Sequence, residues 1–474
     1  MSDHRRPHHV VVVGGGISGL SAAHAVSRGA GDATHITVLE KAPVVGGHLR
    51  LAEVAGMTVD AGAESLVNRR PEAVDLVRAA GLEDDLEHPV SVAAGLWSRG
   101  SIVPLPTSTV LGVPSDPMGL ADVLWPEEVA LVDAEPMVPG LPLDRDVAVG
   151  TLVSERMGPA VTERLVEPFL GGVYAGRADE LSLRATMPQL AEALTRHRSL
   201  LRAAASVHEA VVPRPDVPVF AGIRGGVGRL PAAVAAASGA RIRTDTTVRR
   251  ISRSTTGWRV EIGPVPRSTT IDADAVIVAV PATPAARMLR DVAPAAAAGL
   301  AAVEYASVAI ITLALPVTAF PEPPRWSGFL VPPVDGHVTT AVTISSVKWD
   351  WLAKSADDLV LLRASIGRHR GQADLQHEDQ ELVSTVLAEL TDAVGVAGRP
   401  VGTHVSRWGG ALPQYAVGHV ERMARVRAAL DALPGLAVCG AAYDGVGVAA
   451  CVASAQRAAD GVLRGLELVP VSRP

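Results

Sequence analysis

Two glycine-rich turns, one at each end of the chain, restrict its fold more than any other feature. At the N-terminus Val10-Val11-Val12-Val13 runs into Gly14-Gly15-Gly16-Ile17-Ser18-Gly19. The valines read as a buried parallel strand, and Leu20 to Arg28 as the helix beyond the turn. Gly14, Gly16 and Gly19 carry the G-x-G-x-x-G spacing of a dinucleotide-binding turn. The first glycine permits the tight bend, the second lets a pyrophosphate approach the backbone, and the third lets helix and strand pack closely. Unpaired amides at the helix N-terminus then face the phosphates. A second strand, His35 to Leu39, ends at Glu40, placed to accept hydrogen bonds from a ribose 2′-hydroxyl. Strand, helix, strand and acid in register predict nucleotide binding.

The acid at Glu40 would repel the extra phosphate of NADP. Beyond it, Gly46-Gly47-His48-Leu49-Arg50 and Val59-Asp60-Ala61-Gly62-Ala63-Glu64-Ser65 let the chain pass close to a bulky cofactor, which favours FAD over a nicotinamide. Taken alone, the double glycine also reads as a surface turn. The C-terminus decides between them. Leu436 to Gly440 reads as a strand, Ala441-Ala442-Tyr443-Asp444-Gly445-Val446-Gly447-Val448 as a turn, and Ala449 to Leu463 as an Ala-rich helix. Such a helix N-terminus sets amides near the pyrimidine edge of a flavin, where negative charge develops on reduction. The paired terminal motifs predict one FAD-binding domain built from both chain ends, holding FAD non-covalently.

The 474 residues suffice for two or three domains, and a formal charge of −7 gives no basic field for nucleic acid. Cys439 and Cys451 lack metal-ligand spacing and suit a reducing compartment, and His4, His8 and His9 read as a ragged end, not a metal site. The first strand begins too early for a signal peptide, and the apolar stretch Tyr305 to Phe320 is broken by Pro316. A cytoplasmic protein is expected. The basic pairs Arg5-Arg6 and Arg69-Arg70 read as solvated surface by default.

The pattern along the chain predicts an α/β fold: a discontinuous Rossmann-like FAD-binding domain with an α+β substrate domain. Residues 1–80, 220–290 and 405–474 would form the cofactor domain. Residues 81–219 would be the helical and proline-rich part of the substrate domain, with helices at Leu152 to Met157, Val161 to Phe169 and Met187 to His197. Residues 291–404 would be its strand-rich part.

The middle of the chain carries Glu167-Pro168-Phe169-Leu170-Gly171-Gly172-Val173-Tyr174-Ala175-Gly176, then Glu180-Leu181-Ser182-Leu183-Arg184-Ala185, Lys348-Trp349, Leu362-Arg363, and Pro413-Gln414-Tyr415 with Gly418-His419. With these motifs the whole chain resembles the FAD-dependent protoporphyrinogen and coproporphyrinogen oxidases of haem biosynthesis, amine-oxidase-like flavoproteins. The Lys-Trp pair and the Pro-Gln-Tyr…Gly-His run are similar to the branch of monoderm bacteria, whose members prefer coproporphyrinogen III. Two positions depart from the family. Val44 stands where an arginine often precedes the double glycine. Ala94 stands where protoporphyrinogen-oxidising members of plants and animals hold a propionate with arginine, although Arg99 is nearby.

The resemblance implies removal of six hydrogens from a porphyrinogen, in three hydride transfers to the flavin, with O2 as final acceptor and H2O2 released. A pyrrole N–H can lose its proton as the hydride leaves, so no side-chain base is demanded. The resemblance leaves room for a grazing membrane contact. Candidate cofactor residues are Gly14, Gly15, Gly16, Ile17, Ser18, Gly19, Glu40, Lys41, Gly46, Gly47, His48, Gly62, Ala63, Glu64, Ser65, Val248, Trp408, Gly440, Val446, Gly447 and Val448. Arg70, then Arg69, are candidate propionate anchors, against a solvated helix start. Tyr174 and His419 are candidate pocket-wall or propionate contacts, against a structural tyrosine and a core histidine. Gly172, through its carbonyl, and Lys348 are the catalytic candidates; an exposed strand-end lysine is the alternative for Lys348. Protoporphyrinogen IX oxidation, a non-catalytic flavin or porphyrin carrier, and an amine oxidase are the competing functions.

Overall fold

The computed structural model describes residues 6–140, 145–211 and 217–468; His4 and Arg5 lie outside them. At its centre is a five-stranded, all-parallel sheet in the order Arg241–Arg243, Thr34–Leu39, His8–Val13, Ala275–Val278, Leu436–Val438. Alternation along a strand sends successive side chains to opposite faces. Val10 and Val12 accordingly join the core beneath helices Ile17–Ala30, Leu230–Ser238 and Val448–Gly465. Val11 and Val13 join a second core. There the cover is an antiparallel sheet, Val248–Arg253, Trp258–Ile262 and Thr269–Ala273, with helices Ala282–Leu289, Pro294–Ala301 and His419–Asp431. Burial on both faces explains why the strand is an unbroken valine run.

The two chain ends meet as their motifs require. Helix Ile17–Ala30 lies against Val448–Gly465 so closely that a methyl on Gly29 would press on the Leu463 side chain at 2.5 Å. A methyl on Gly19 would collide with the Gly14 carbonyl oxygen, so the third glycine of the turn is required by packing.

A second body is built on a seven-stranded sheet, ordered Gly402–Pro413, Tyr305–Pro316, Leu359–Ile366, Thr339–Thr343, Gly328–Leu330, Gly95–Ser98, Ser101–Pro104. Helix Asp379–Val394 covers one face of it. Helices Val149–Met157, Glu167–Tyr174, Pro188–Arg196 and Leu200–Ala210 form a separate helical core. The expected boundary at 405 falls inside the strand Gly402–Pro413, which belongs wholly to the seven-stranded sheet. The boundary at 290 likewise falls before Pro294–Ala301, whose alanines pack on the parallel-sheet side. The helix expected over Val161 to Phe169 is interrupted: a π-helical turn, Thr162–Val166, precedes Glu167–Tyr174.

Candidate active site

The carboxyl ends of parallel strands form one edge, and that edge is where ligands sit in such sheets. Gly14, Glu40 and Gly440 all follow strands there. The turn is tied by the Gly14 amide to the Leu39 carbonyl at 2.8 Å and by the Gly46 amide to the Gly15 carbonyl at 2.8 Å. Glu40 accepts from the Gly15 amide at 2.7 Å and the Ala42 amide at 2.8 Å. A carboxylate offers about four lone-pair sites, so two remain for a ribose; Lys41 beside it is exposed. Helix Ile17–Ala30 has no side-chain cap at Gly16, and Val448–Gly465 has none at Gly447. Both leave amide donors at the edge. Ser18 is buried at the junction, 3.7 Å from where a methyl on Gly440 would lie.

Gly47, His48, Gly62 and Trp408 form the next wall. A methyl on Gly62 would collide with the His48 carbonyl. Trp408 donates from Nε1 to the Ala61 carbonyl at 2.9 Å and meets the His48 ring edge-on at 5.2 Å. Val248 opens its strand with a buried side chain and a register break just after it. The glycine cradle, the uncapped amides and the acid at Glu40 together fit a dinucleotide carrying a bulky ring system, as FAD does.

Ala63 is exposed, but Glu64 and Ser65 turn inward to a polar cluster. Glu64 takes Lys348 Nζ at 2.8 Å, Arg363 Nη1 at 3.0 Å and Ser345 Oγ at 2.9 Å. Burial alone would raise its carboxyl, but the Lys348 and Arg363 cations overcome this and hold it at about 2. Lys348 also donates to Ser65 Oγ at 2.7 Å, and Arg363 donates to the Gly62 carbonyl. Lys348 is therefore neither a free substrate contact nor an exposed strand-end lysine. Its ammonium is spent on the loop carrying Gly62 to Ser65. Arg363, quoted above for resemblance only, is the cation that sequence reasoning left without a role; its partner lies 299 positions away. Just before this loop Asp60 accepts amides of Val227 and Gly228, and burial pushes its carboxyl up to about 6.

Gly172 lies exposed on the last turn of helix Glu167–Tyr174, where carbonyls lack intrahelical donors, with Leu330 beside it. Tyr174 is buried, 5.5 Å from the Tyr415 ring, and burial raises its phenol to about 12. Its side chain is uncharged at neutral pH. His419 is corrected from a propionate contact to a core histidine. It is 2% exposed, stacks on Tyr415 at 4.1 Å and hydrogen-bonds the Ala442 carbonyl through Nε2 at 3.0 Å. Burial lowers it to about 4, only partly offset by that hydrogen bond, so it is uncharged at neutral pH. Arg69 and Arg70 are exposed at the start of helix Pro71–Ala79, with Arg70 paired to Glu72 at 3.0 Å. The structure does not join either to Gly172 or Tyr174 by a described contact. Arg99 is turned away into Glu128, at 3.0 Å, and over the Trp125 ring.

Residues 17–463 match the family of flavin-containing amine oxidoreductases. The chain is 37% identical over 465 residues to a protein named coproporphyrinogen III oxidase in Mycobacterium tuberculosis, covering 97% of this chain and 98% of that one. A Bacillus subtilis protein of the same name is 29% identical over 465 residues, covering 95% and 97%. Among solved structures, an Exiguobacterium protein assigned as a protoporphyrinogen oxidase superposes with a TM-score of 0.83 at 30% identity, covering 97% and 99%. Putrescine oxidase, at 18% identity, TM-score 0.70 and coverage of 97% and 99%, shares the fold. With the double-ended glycine cradle and the two-bodied architecture described above, these likenesses show that the chain belongs to the flavin-containing amine oxidoreductases.

Proposed function

We propose that this protein oxidises coproporphyrinogen III to coproporphyrin III in haem biosynthesis, with FAD as cofactor and O2 as final acceptor. The observation that carries the reading is the end-to-end identity of 37% with a relative bearing that name. The macrocycle gives up six hydrogens to three O2, which leave as three H2O2. Bound FAD supplies the hydride acceptor for each two-electron step.

The chain's own work is to hold, orient and exclude. The Gly14 to Gly19 turn and Glu40 hold the dinucleotide end, while the Gly62 to Ser65 loop and Trp408 wall the ring. The amides at Val446 to Val448 favour negative charge at the pyrimidine edge. Gly172 offers its carbonyl to pyrrole N–H groups, and Tyr174 backs the pocket as a neutral wall. Arg69 and Arg70 are the exposed cations placed to take propionates. No side-chain base is assigned: each meso hydride loss acidifies a pyrrole N–H whose proton can pass to water, and after the third step one meso C–H proton returns to nitrogen. On this reading the parallel-sheet body binds FAD and the seven-stranded body faces the porphyrinogen.

Protoporphyrinogen IX is the second reading, favoured by a human protein named protoporphyrinogen oxidase, 28% identical over 499 residues. Among the described residues no helix is long and apolar enough to cross a membrane; a cytoplasmic location is part of the proposal. The test is aerobic turnover of FAD-loaded protein on both porphyrinogens, read by porphyrin fluorescence. A higher kcat/KM for coproporphyrinogen III supports the proposal, and a preference for protoporphyrinogen IX overturns it. No turnover on either, with no anaerobic bleaching of the flavin, would make the protein a carrier.

A further inference from the structure

The segment Pro413-Gln414-Tyr415, with Gly418 and His419, sits between the two parts of the site. Tyr415 is buried. Its hydroxyl donates to the Ala441 carbonyl and accepts from the Gly445 amide at 2.8 Å. One oxygen thus spans the short helix Ala441–Asp444 that precedes Gly447. His419 stacks on the same ring, with 15° between planes, and holds the Ala442 carbonyl between those two points. Asp444 is fixed from outside by Arg457 at 2.8 Å and by Ser454 Oγ at 2.6 Å. In the other direction Gln414 Nε2 donates to the Tyr174 carbonyl at 2.8 Å, at the end of the helix that presents Gly172. The Ser182 amide donates to the Tyr415 carbonyl at 2.8 Å.

We propose that Tyr415 is a positioning residue: its hydroxyl sets the Gly440–Val448 turn against the flavin, and through Gln414 the same segment fastens that turn to the end of helix Glu167–Tyr174. This rests on the flavin-dependent reading of the site. A phenol both donates and accepts, so it can hold one carbonyl and one amide of a single turn. Burial raises the Tyr415 phenol well above the ordinary tyrosine value, which keeps its proton available to Ala441. The amides beyond Gly445 stabilise charge only while they are held at a fixed place and angle.

Tyr415→Phe keeps the ring stack and removes both hydrogen bonds. Two quantities are read on the full chain: the FAD dissociation constant of the apoprotein, and the midpoint potential of bound FAD by dye equilibration. The dissociation constant is expected to rise about tenfold, from one buried amide and one carbonyl losing their partner. The potential is expected to fall, since the reduced, anionic ring loses well-placed amides. A loss of rigidity remote from the cofactor would lower the melting temperature without moving the potential. Gln414→Leu cuts the ties from that side chain to the Tyr174 and Leu412 carbonyls, touching neither Ala441 nor Gly445, and is expected to leave both flavin readouts in place while raising KM for the porphyrinogen. Unchanged affinity and potential in Tyr415→Phe overturn the proposal. If that variant does not fold, His419→Phe, which removes the hydrogen bond to Ala442, is read the same way. Neither flavin readout involves a porphyrinogen, so a wrong substrate leaves the proposal standing, whereas an unaltered chain that holds no FAD overturns both readings.

Discussion

Replacing Glu64 with Gln tests the ion cluster that ties down the Gly62 to Ser65 loop. The substitution keeps shape and removes one charge, leaving Lys348 and Arg363 facing a neutral amide. The size of the effect follows from the carboxyl itself, which falls from 4.5, the value of an unperturbed glutamate, to about 2. That drop corresponds to about 3 kcal/mol of preference for the ionised form in the folded protein. It matches the 3–5 kcal/mol typical of removing one partner from a buried ion pair (~3 as the lower bound). The sign with pH is fixed. The folded value lies below the unfolded one, so the contribution is complete above about pH 4.5 and is lost as pH falls through about 2. Urea unfolding of the FAD-free protein at pH 7, with Glu64→Gln beside the unaltered chain, should show a midpoint loss worth about 3 kcal/mol at equal slope. The difference should shrink as both are taken to lower pH. A loss below about 1 kcal/mol at pH 7 would place the cluster with ordinary surface pairs and refute the argument.

Two further outcomes are expected. Glu135 and Arg156 are 0% and 6% exposed and paired, and Glu135 also accepts the Leu200 and Leu201 amides at the start of helix Leu200–Ala210; Arg156→Met should therefore cost about 3–5 kcal/mol in urea unfolding, far from any flavin effect. His419 has a folded value of about 4 against 6.5, so the unfolded chain takes up a proton first and stability falls as pH drops from about 6.5 to about 4. Its replacement by Phe should flatten that part of the stability–pH curve, and an unchanged slope there would show that another group sets it.

The glycine turns are local chemistry, and that makes them legible in the sequence. A turn such as Gly14 to Gly19 needs its glycines for reasons that arise within a few residues, and a strand buried on both faces must be apolar throughout. The hairpin Gly95–Ser98 and Ser101–Pro104 carries a weak signal in the sequence, Gly100 alone, because its turn also needs a positive φ at Arg99, 52° beside 79° at Gly100, which arginine does not advertise. Helix Leu200–Ala210, which the sequence reading does not include, is announced by Ser199, whose side chain accepts the Arg202 amide as an N-cap.

The side chains beyond the glycine turns are a different matter. Lys348, Arg363, His419 and Tyr415 are each recognisable by type, but type does not say what they face. Glu64 and Lys348 are 284 positions apart, and Gln414 lies 240 from Tyr174, so their pairings exist only once distant parts of the chain have packed together. Burial then decides charge: it leaves His419 neutral and, with two cations added, leaves Glu64 ionised. The sequence by itself determined the strand–glycine turn–helix units at both chain ends, because backbone sterics and periodicity act over short spans. The tertiary structure alone decided which cations are free, because ion pairing and desolvation depend on neighbours that the chain order does not reveal.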